Sequence, residues 1–261
     1  MNLFDATLDL ASFAKGTEDY KITAVDQVNN QIQCEDLAGR VSEFGGGTIW
    51  FRSGESAGKF GRIKSSAAQT IDLLDTFTDG YAVGDLITIG SWLEFDTQKL
   101  INAINSVLRT YKVMDTNFDL EWDTEQDLYE LPEGVTDDIR QIRLQDRVTG
   151  KWVLCHYWEI IAPMTLKIYE RRKMLYSGDI AINYVRYHGA IGKDDDIHPH
   201  VDPLYLRYMA WLYLCRNLIQ QTHKDNLVSS DMYNEAKIYE RDHATLPLKK
   251  LQKKTICYPQ W

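Results

Sequence analysis

Several groups of residues in this chain have types and spacing that could do chemistry. The first is "RSGESAGKFG", residues 52–61, in which Gly54 and Gly58 flank a short spacer and Lys59 follows. A phosphate-binding loop needs a four-residue spacer between its glycines, then Lys, then a hydroxyl residue for Mg²⁺. Only Glu55, Ser56 and Ala57 separate these glycines, and Phe60 stands where the hydroxyl should be. Such a loop also opens a helix, whereas the flanks "GTIWF" and "GRIKSS" alternate and branch like strands. The stretch is therefore expected to be a glycine turn between two strands.

The second group is "DDDIHPH", which places His198 and His200 beside Asp194, Asp195, Asp196 and Asp202. Imidazole and carboxylate together can hold zinc or iron. Metal-binding histidines two apart usually ride one face of a strand, and Pro199 argues for a loop. A solvated acidic loop leading into a helix is the plainer expectation. Cys155 and His156 are adjacent, but neighbours on a strand point to opposite faces and cannot form a nucleophilic pair. No G-x-S-x-G elbow, H-E-x-x-H helix or dinucleotide fingerprint is present. No catalytic residue, cofactor or metal is assigned, and the chain is not expected to be an enzyme.

The third group is basic. Lys249, Lys250, Lys253 and Lys254 cluster near the end, with Tyr258 and Trp261 beyond them. Their sign is opposite to that of the whole chain, whose formal net charge is −9. They suit docking onto an acidic partner, with the two aromatics as anchors; a solvated tail is the bland alternative. Net acidity argues against gripping nucleic acid through its phosphates. It suits a passage through which DNA slides without sticking. Cys34, Cys155, Cys215 and Cys257 form no C-x-x-C pair, which fits a reducing cytoplasm and neither a zinc ribbon nor a disulfide framework. "MNLFDATLDL" lacks the basic start of a secretory signal, and "YMAWLYLC" is too short to span a bilayer. A soluble protein assembled inside a cell is expected.

The elements that would carry these residues make an α+β chain. The spacing predicts a helix over Leu3–Lys15, ended by Gly16. From Tyr20 to Gly90 the period is two. Six strand-like runs ("YKITAV", "NQIQCED", "GTIWFRS", "GRIKSS", "QTIDLLD", "DLITIG") alternate with turn signals, as in a small antiparallel β-barrel or sandwich. "DTQKLINAINSVLRTYK" places Leu100, Ile101, Ile104, Val107, Leu108 and Tyr111 on one stripe, with Asp96 or Thr97 as cap. Strands return at "DLYELP", "DIRQIRLQD", "KWVLCHYWEI", "TLKIYE" and "DIAINYVRYH". Two closing helices are predicted, from about Pro203 to His223 and from about Asp231 to Thr245. In the second, Ser230 is the expected cap and Met232, Ala236 and Tyr239 point inward.

This order of pieces resembles two kinds of component of tailed bacteriophages. "GGTIWFRSGESAGKFGRI" followed by "GDLITI" is similar to small β modules of their structural proteins, in which such glycines make tight turns. "LINAINSVLRTY", then Tyr129, Leu131, Pro132 and Val135, "IRQIRL", "KWVLCHYWEI", "INYVRYHG" and "VDPLYLRYMAWLYLCRNL" resemble head-to-tail connector (adaptor, neck) proteins. That resemblance implies an N-terminal helix (1–16), a β-barrel module (17–92) and a helical adaptor domain (93–248). The adaptor domain would carry a β insertion over 127–188, and a C-terminal tail would span 249–261. It implies a dodecameric ring in the virion neck, beneath the portal protein and above other tail or neck proteins, with DNA passing through the lumen. The portal contact would fall on Lys249, Lys250, Lys253, Lys254, Tyr258 and Trp261. Two alternatives remain. One is a tail or baseplate component. The other is a carbohydrate- or receptor-binding module stacking sugars on Trp50, Trp92 or Trp122.

Overall fold

A computed structural model describes residues 1–14, 17–37, 43–90, 96–123, 125–146, 148–162, 164–169, 176–218 and 231–243. The chain is α+β and divides into two compact units. One contains Met1–Thr110 and the described residues from Gly189 onward; the other is Tyr111–His188. The fold places the barrel-like strands and all four described α-helices in the same unit.

In the first unit, helix α1 (Leu3–Phe13) opens with a reciprocal cap: Asn2 Oδ1 accepts from Asp5 N at 3.0 Å and Asp5 accepts from Asn2 N at 3.4 Å. This satisfies amides that the first turn leaves without intrahelical partners. The helix ends at Phe13, two residues before the predicted Lys15; Gly16 lies outside the described residues. Seven strands follow rather than six: β1 (Thr17–Lys21), β2 (Ala24–Asp26), β3 (Gln31–Gln33), β4 (Thr48–Phe51), β5 (Phe60–Ala67), β6 (Thr70–Leu73) and β7 (Leu86–Gly90). The run "YKITAV" is two strands at opposite edges of one antiparallel sheet, ordered β1-β7-β4-β5-β6-β3-β2. Ile22 N donates to Asp85 O and Thr23 N to Gln33 O, so the chain changes partners between those two residues. Tyr20 from one edge and Ile32 near the other share a core with Phe51, Ile63, Ile71 and Ile89. Strands this far apart in the order meet only if the sheet curls around its own apolar face.

Strand β4 is buried on both faces. Ile49 and Phe51 enter the core of the curled sheet, whose edge strands β1 and β2 do not pair to close a barrel, while Thr48 and Trp50 face the helices. Trp50 Nε1 donates to Thr7 Oγ1 of α1 at 3.1 Å. Thr48 Oγ1 lies 2.8 Å from Thr97 Oγ1, at the start of α2 (Thr97–Leu108). Asp96 caps α2 as predicted, accepting from Gln98 N and Lys99 N. Leu100, Ala103, Ile104, Val107 and Leu108 are buried in a continuous stripe; Ile101, expected on it, is only half-buried, and the helix ends at Leu108, so Tyr111 lies beyond it. Helix α3 (Pro203–Tyr213) starts with Asp202 as cap and proline in its first turn. It then widens into a π-helical turn, Leu214–Leu218, where one long helix to His223 was expected. Residues 219–230, with the expected cap Ser230, lie outside the described set. Helix α4 (Asp231–His243) lies along α3, where Tyr208 stacks on Tyr239 at 4.6 Å and Arg216 pairs with Glu240 at 2.8 Å. Ala236 is buried on its inner face. Among the described residues no helix is long and apolar enough to cross a membrane.

The second unit opens with β8 (Lys112–Trp122), a strand of 11 residues absent from the predicted set. Its Asp115, Thr116, Asn117 and Asp119 hide the alternation that marks a half-buried strand. It is followed by β9 (Leu128–Glu130), β10 (Ile139–Asp146), β11 (Trp152–Cys155), β12 (Trp158–Ala162), β13 (Thr165–Ile168) and β14 (Tyr176–Tyr187). Four strands pair as β11-β10-β14-β8 and three as β12-β13-β9. Residues of both sheets, among them Ile142, Leu144, Ile180 and Ile182 with Tyr129, Leu166 and Ile168, share one core. The predicted single strand "KWVLCHYWEI" breaks at His156–Tyr157 and contributes one strand to each sheet.

The Trp50–Thr7 bond carries a testable cost. Thr7→Val keeps the volume but leaves a buried indole N–H without its acceptor, which costs about 1–3 kcal/mol. The expected result is a lower denaturant midpoint with an unchanged slope. Adding Trp50→Phe removes the orphaned donor but opens a cavity, so the double variant should lose less than the sum of the two single losses.

Candidate functional site

The glycine-rich stretch is a turn between β4 and β5, as its flanks implied. Three of its amides are occupied: Ala57 N donates to Gly54 O, Gly58 N to Phe51 O and Lys59 N to Ser56 O. A phosphate cradle needs such N–H groups free and convergent. Gly54 has φ +81°, and a Cβ there would lie 2.2 Å from the Asp85 carboxylate, so both dihedral and space require glycine.

The fold brings this turn to the acidic loop, two features far apart in sequence. Lys59 lies 3.9 Å from both Asp79 and Asp194, in exposed and loose pairs. The neighbouring Lys193 is held more firmly, at 3.4 Å from Asp75 and 5.2 Å from the centre of the Phe60 ring. Asp75 also accepts from Arg62 N at 3.0 Å and pairs with the Arg62 guanidinium at 3.2 Å. Within the loop, Asp195 accepts from Gly192 N, Asp196 bridges to Asn2, and Asp202 caps α3. His198 and His200 pack ring against ring at 4.8 Å. Apart from Asp196, whose bridge to Asn2 is made by the backbone, these side chains serve turns, caps, ion pairs and the ring contact. Among the described residues no group of three or more His, Cys, Asp or Glu has a metal-binding arrangement.

The other sequence candidates separate. Cys155 is buried at the end of β11, and His156 is exposed just beyond it, where the strand breaks. Cys34, Cys155 and Cys215 are buried and in no disulfide among the described residues; burial, reinforced by Asp36, pushes the Cys34 thiol up to about 12. Trp50 is fully buried and Trp122 is 7% exposed, so neither presents a ring face to a sugar. Trp92 lies outside the described residues, as do Lys249, Lys250, Lys253, Lys254, Tyr258, Trp261 and Cys257.

The chemistry that the sequence reading missed lies on the second unit. The register pairs Arg143 with Ala181 and Leu154, Gln141 with Asn183, Gln145 with Trp152, Asn183 with Thr116, and Asp179 with Glu121. Paired residues share a face, and this face is opposite the core formed by Ile142, Leu144, Ile180 and Ile182. Thr116 Oγ1 donates to Asn183 Oδ1 at 2.8 Å and Asn183 Nδ2 to Gln141 Oε1 at 2.9 Å, giving a satisfied polar row. Phe118 of β8, 50% exposed, meets Trp152 of β11 with ring centres 5.7 Å apart. Those are the outermost strands of the four, which would lie about 14 Å apart in a flat sheet. The sheet therefore curls, and the rings meet over β10 and β14. Arg143 is half-buried, and its Nε has no hydrogen-bond partner among the described residues. Only knowledge of β8 could have revealed this surface, because Phe118 and Thr116, one end of its polar row, ride on that strand.

No protein-family model matches the chain, and no curated protein is significantly similar to it.

Asp75 gives this region a pH dependence. Burial raises its pKa, but the Arg62 N–H, the Lys193 ammonium and the Arg62 guanidinium outweigh it and hold the carboxyl below its ordinary value. The ionised group therefore contributes stability above the unfolded value of about 3.9, which is lost as pH falls through the lower folded value. Asp75→Asn should lower stability at neutral pH and flatten its decline in acid. An unfolding midpoint followed from pH 7 downward checks both, and an unaltered decline would show that the Asp75 pairs do not set it.

Proposed function

We propose that the chain is a structural virion protein of a tailed bacteriophage and not an enzyme. It is a head-to-tail adaptor that forms a ring between portal and tail and lines the DNA conduit. The observation that carries this reading is the way the β unit interrupts a helical group. Helices α2 and α3 pack against each other although 94 residues, 109–202, separate them in sequence. The chain leaves the helices after α2, forms both sheets of the second unit and returns to α3. Asn105 on α2 fastens the return: its Nδ2 donates to Ile191 O at 3.0 Å and its Oδ1 accepts from Ile191 N at 2.9 Å. A helical group with a β excursion is the plan that the resemblance to connector proteins implies.

Two further properties support the reading. A net charge of −9 suits a wall past which phosphates must slide. The basic end of an acidic chain suits docking onto an acidic portal surface, with Tyr258 and Trp261 as anchors. Subunits would meet head to tail around a closed ring.

The test is the solution mass of the purified protein with negative-stain images, alone and mixed with the portal protein of the same virus. Rings with a central hole are expected, at the latest on the portal. A chain that remains monomeric in both samples would overturn the adaptor reading. Deleting residues 249–261 should abolish portal attachment while leaving the far-UV spectrum unchanged; attachment by the shortened chain would remove the docking role from the tail.

A further inference from the structure

The outer face of the sheet β11-β10-β14-β8 carries charges that its own fold does not balance. Arg62, Arg140, Arg186, Arg207 and Arg216 each pair with a carboxylate. Arg143, half-buried in a chain with 38 acidic residues, has no ion-pair partner among the described residues. On the same face, Asp179 and Glu121 are exposed and directly opposite each other in the register. Like charges so placed repel, and no cation lies within ion-pair distance of either among the described residues. Beside them, Phe118 and Trp152 form an aromatic pair with Phe118 half exposed. One face thus holds a cation lacking an anion, an anion pair lacking a cation, and an apolar contact between them and solvent.

We propose that this face is a contact between two copies of the chain. Arg143 of each copy would lie against Asp179 and Glu121 of the other, with the Phe118–Trp152 pairs packed together. The charge pattern selects a second copy as the occupant. Arg143 and Asp179 stand on neighbouring strands, because Arg143 pairs with Ala181, two residues along β14 from Asp179. A two-fold axis between them brings each cation onto the other copy's anions, the reciprocal matching that defines an isologous interface. The face serves this better than the open edge of β8. There, Asp115 Oδ1 already accepts from Thr116 N and Asn117 Oδ1 from Asp119 N, so the edge strand's own side chains occupy some of its amides. This contact does not depend on the adaptor reading.

The experiment uses two full-length variants, Arg143→Glu and the double variant Glu121→Arg/Asp179→Arg. At these three positions the first carries only carboxylates and the second only guanidiniums. Sedimentation should show each variant alone associating roughly tenfold or more weakly than the unaltered chain. An equimolar mixture should regain association, because every charge then meets its opposite; that recovery also shows that both variants fold. Phe118→Ala should weaken association in the unaltered chain and in the mixture alike. Variants that associate as well as the unaltered chain, as rings or as smaller species, would overturn the contact and leave the adaptor reading standing. A mixture that regains nothing, or an unaltered chain that stays monomeric, would overturn it as well.

Discussion

The first unit depends on a strand that has no solvent side. In "TIWF" all four side chains are buried, so β4 must be packed from both directions. Ile49 and Phe51 satisfy the core of the curled sheet, which leaves Thr48 and Trp50 to be covered by something on its other face. Those two positions carry polar groups, and burying a donor or hydroxyl without a partner costs free energy. The helices therefore bring polar partners as well as apolar area: Thr7 for the indole and Thr97 for Thr48. Thr7 in turn donates to Leu3 O within α1, so one hydroxyl serves as acceptor and donor at once. With α1 and α2 fixed on β4, α3 has a surface to pack against. Phe13 of α1 meets Tyr208 at 5.4 Å and Trp211 at 6.3 Å, and Asp9 holds Arg207 at 2.5 Å.

The second unit repeats this constraint in its own way. Residues 180–185 of β14 are all buried, on alternating faces. The even positions lie in the core between the two sheets. The odd positions include Asn183, which would be costly to bury alone, and Thr116 and Gln141 from the flanking strands complete its hydrogen bonds. A satisfied polar row fixes register, because a slip of one residue would orphan the amide and turn the apolar set outward.

Elements whose apolar positions follow one period were legible in the sequence. Most of the α2 stripe, its Asp96 cap and the β4–β5 turn all follow from local pattern. What was illegible depended on partners distant in sequence. β8 is built from polar residues that make sense only beside Asn183 and Arg186, with Asp115 Oδ2 accepting from Arg186 Nε at 2.9 Å. "YKITAV" and "KWVLCHYWEI" each read as one strand because a change of hydrogen-bonding partner leaves no mark in composition. Trp50 and Trp122 read as candidate sugar platforms because residue type says nothing of burial. The tail residues from Lys249 to Trp261 were chosen by charge and residue type, and they lie outside the described residues.

Charge separates the two units in a way that bears on what each is for. In the first, four cations find anions within the fold: Lys193 and Arg62 on Asp75, Arg207 on Asp9, Arg216 on Glu240. These contacts close a structure upon itself. In the second, Arg186 is matched to Asp115 and Arg140 to Asp138, but among the described residues Arg143 and the Asp179–Glu121 pair have no ion-pair partner on their face. Opposed like charges in a sheet cost roughly 0.2–1 kcal/mol, which a single substitution would relieve. Keeping them is costly for the isolated fold and useful for recognition, because unpaired charges reject a wrong partner as strongly as they attract a complementary one. A sheet face carrying exposed aromatic surface would otherwise invite non-specific association, and charges at its margin allow only a matching surface to approach. The imbalance that weakens the unit alone is what makes an interface on it selective.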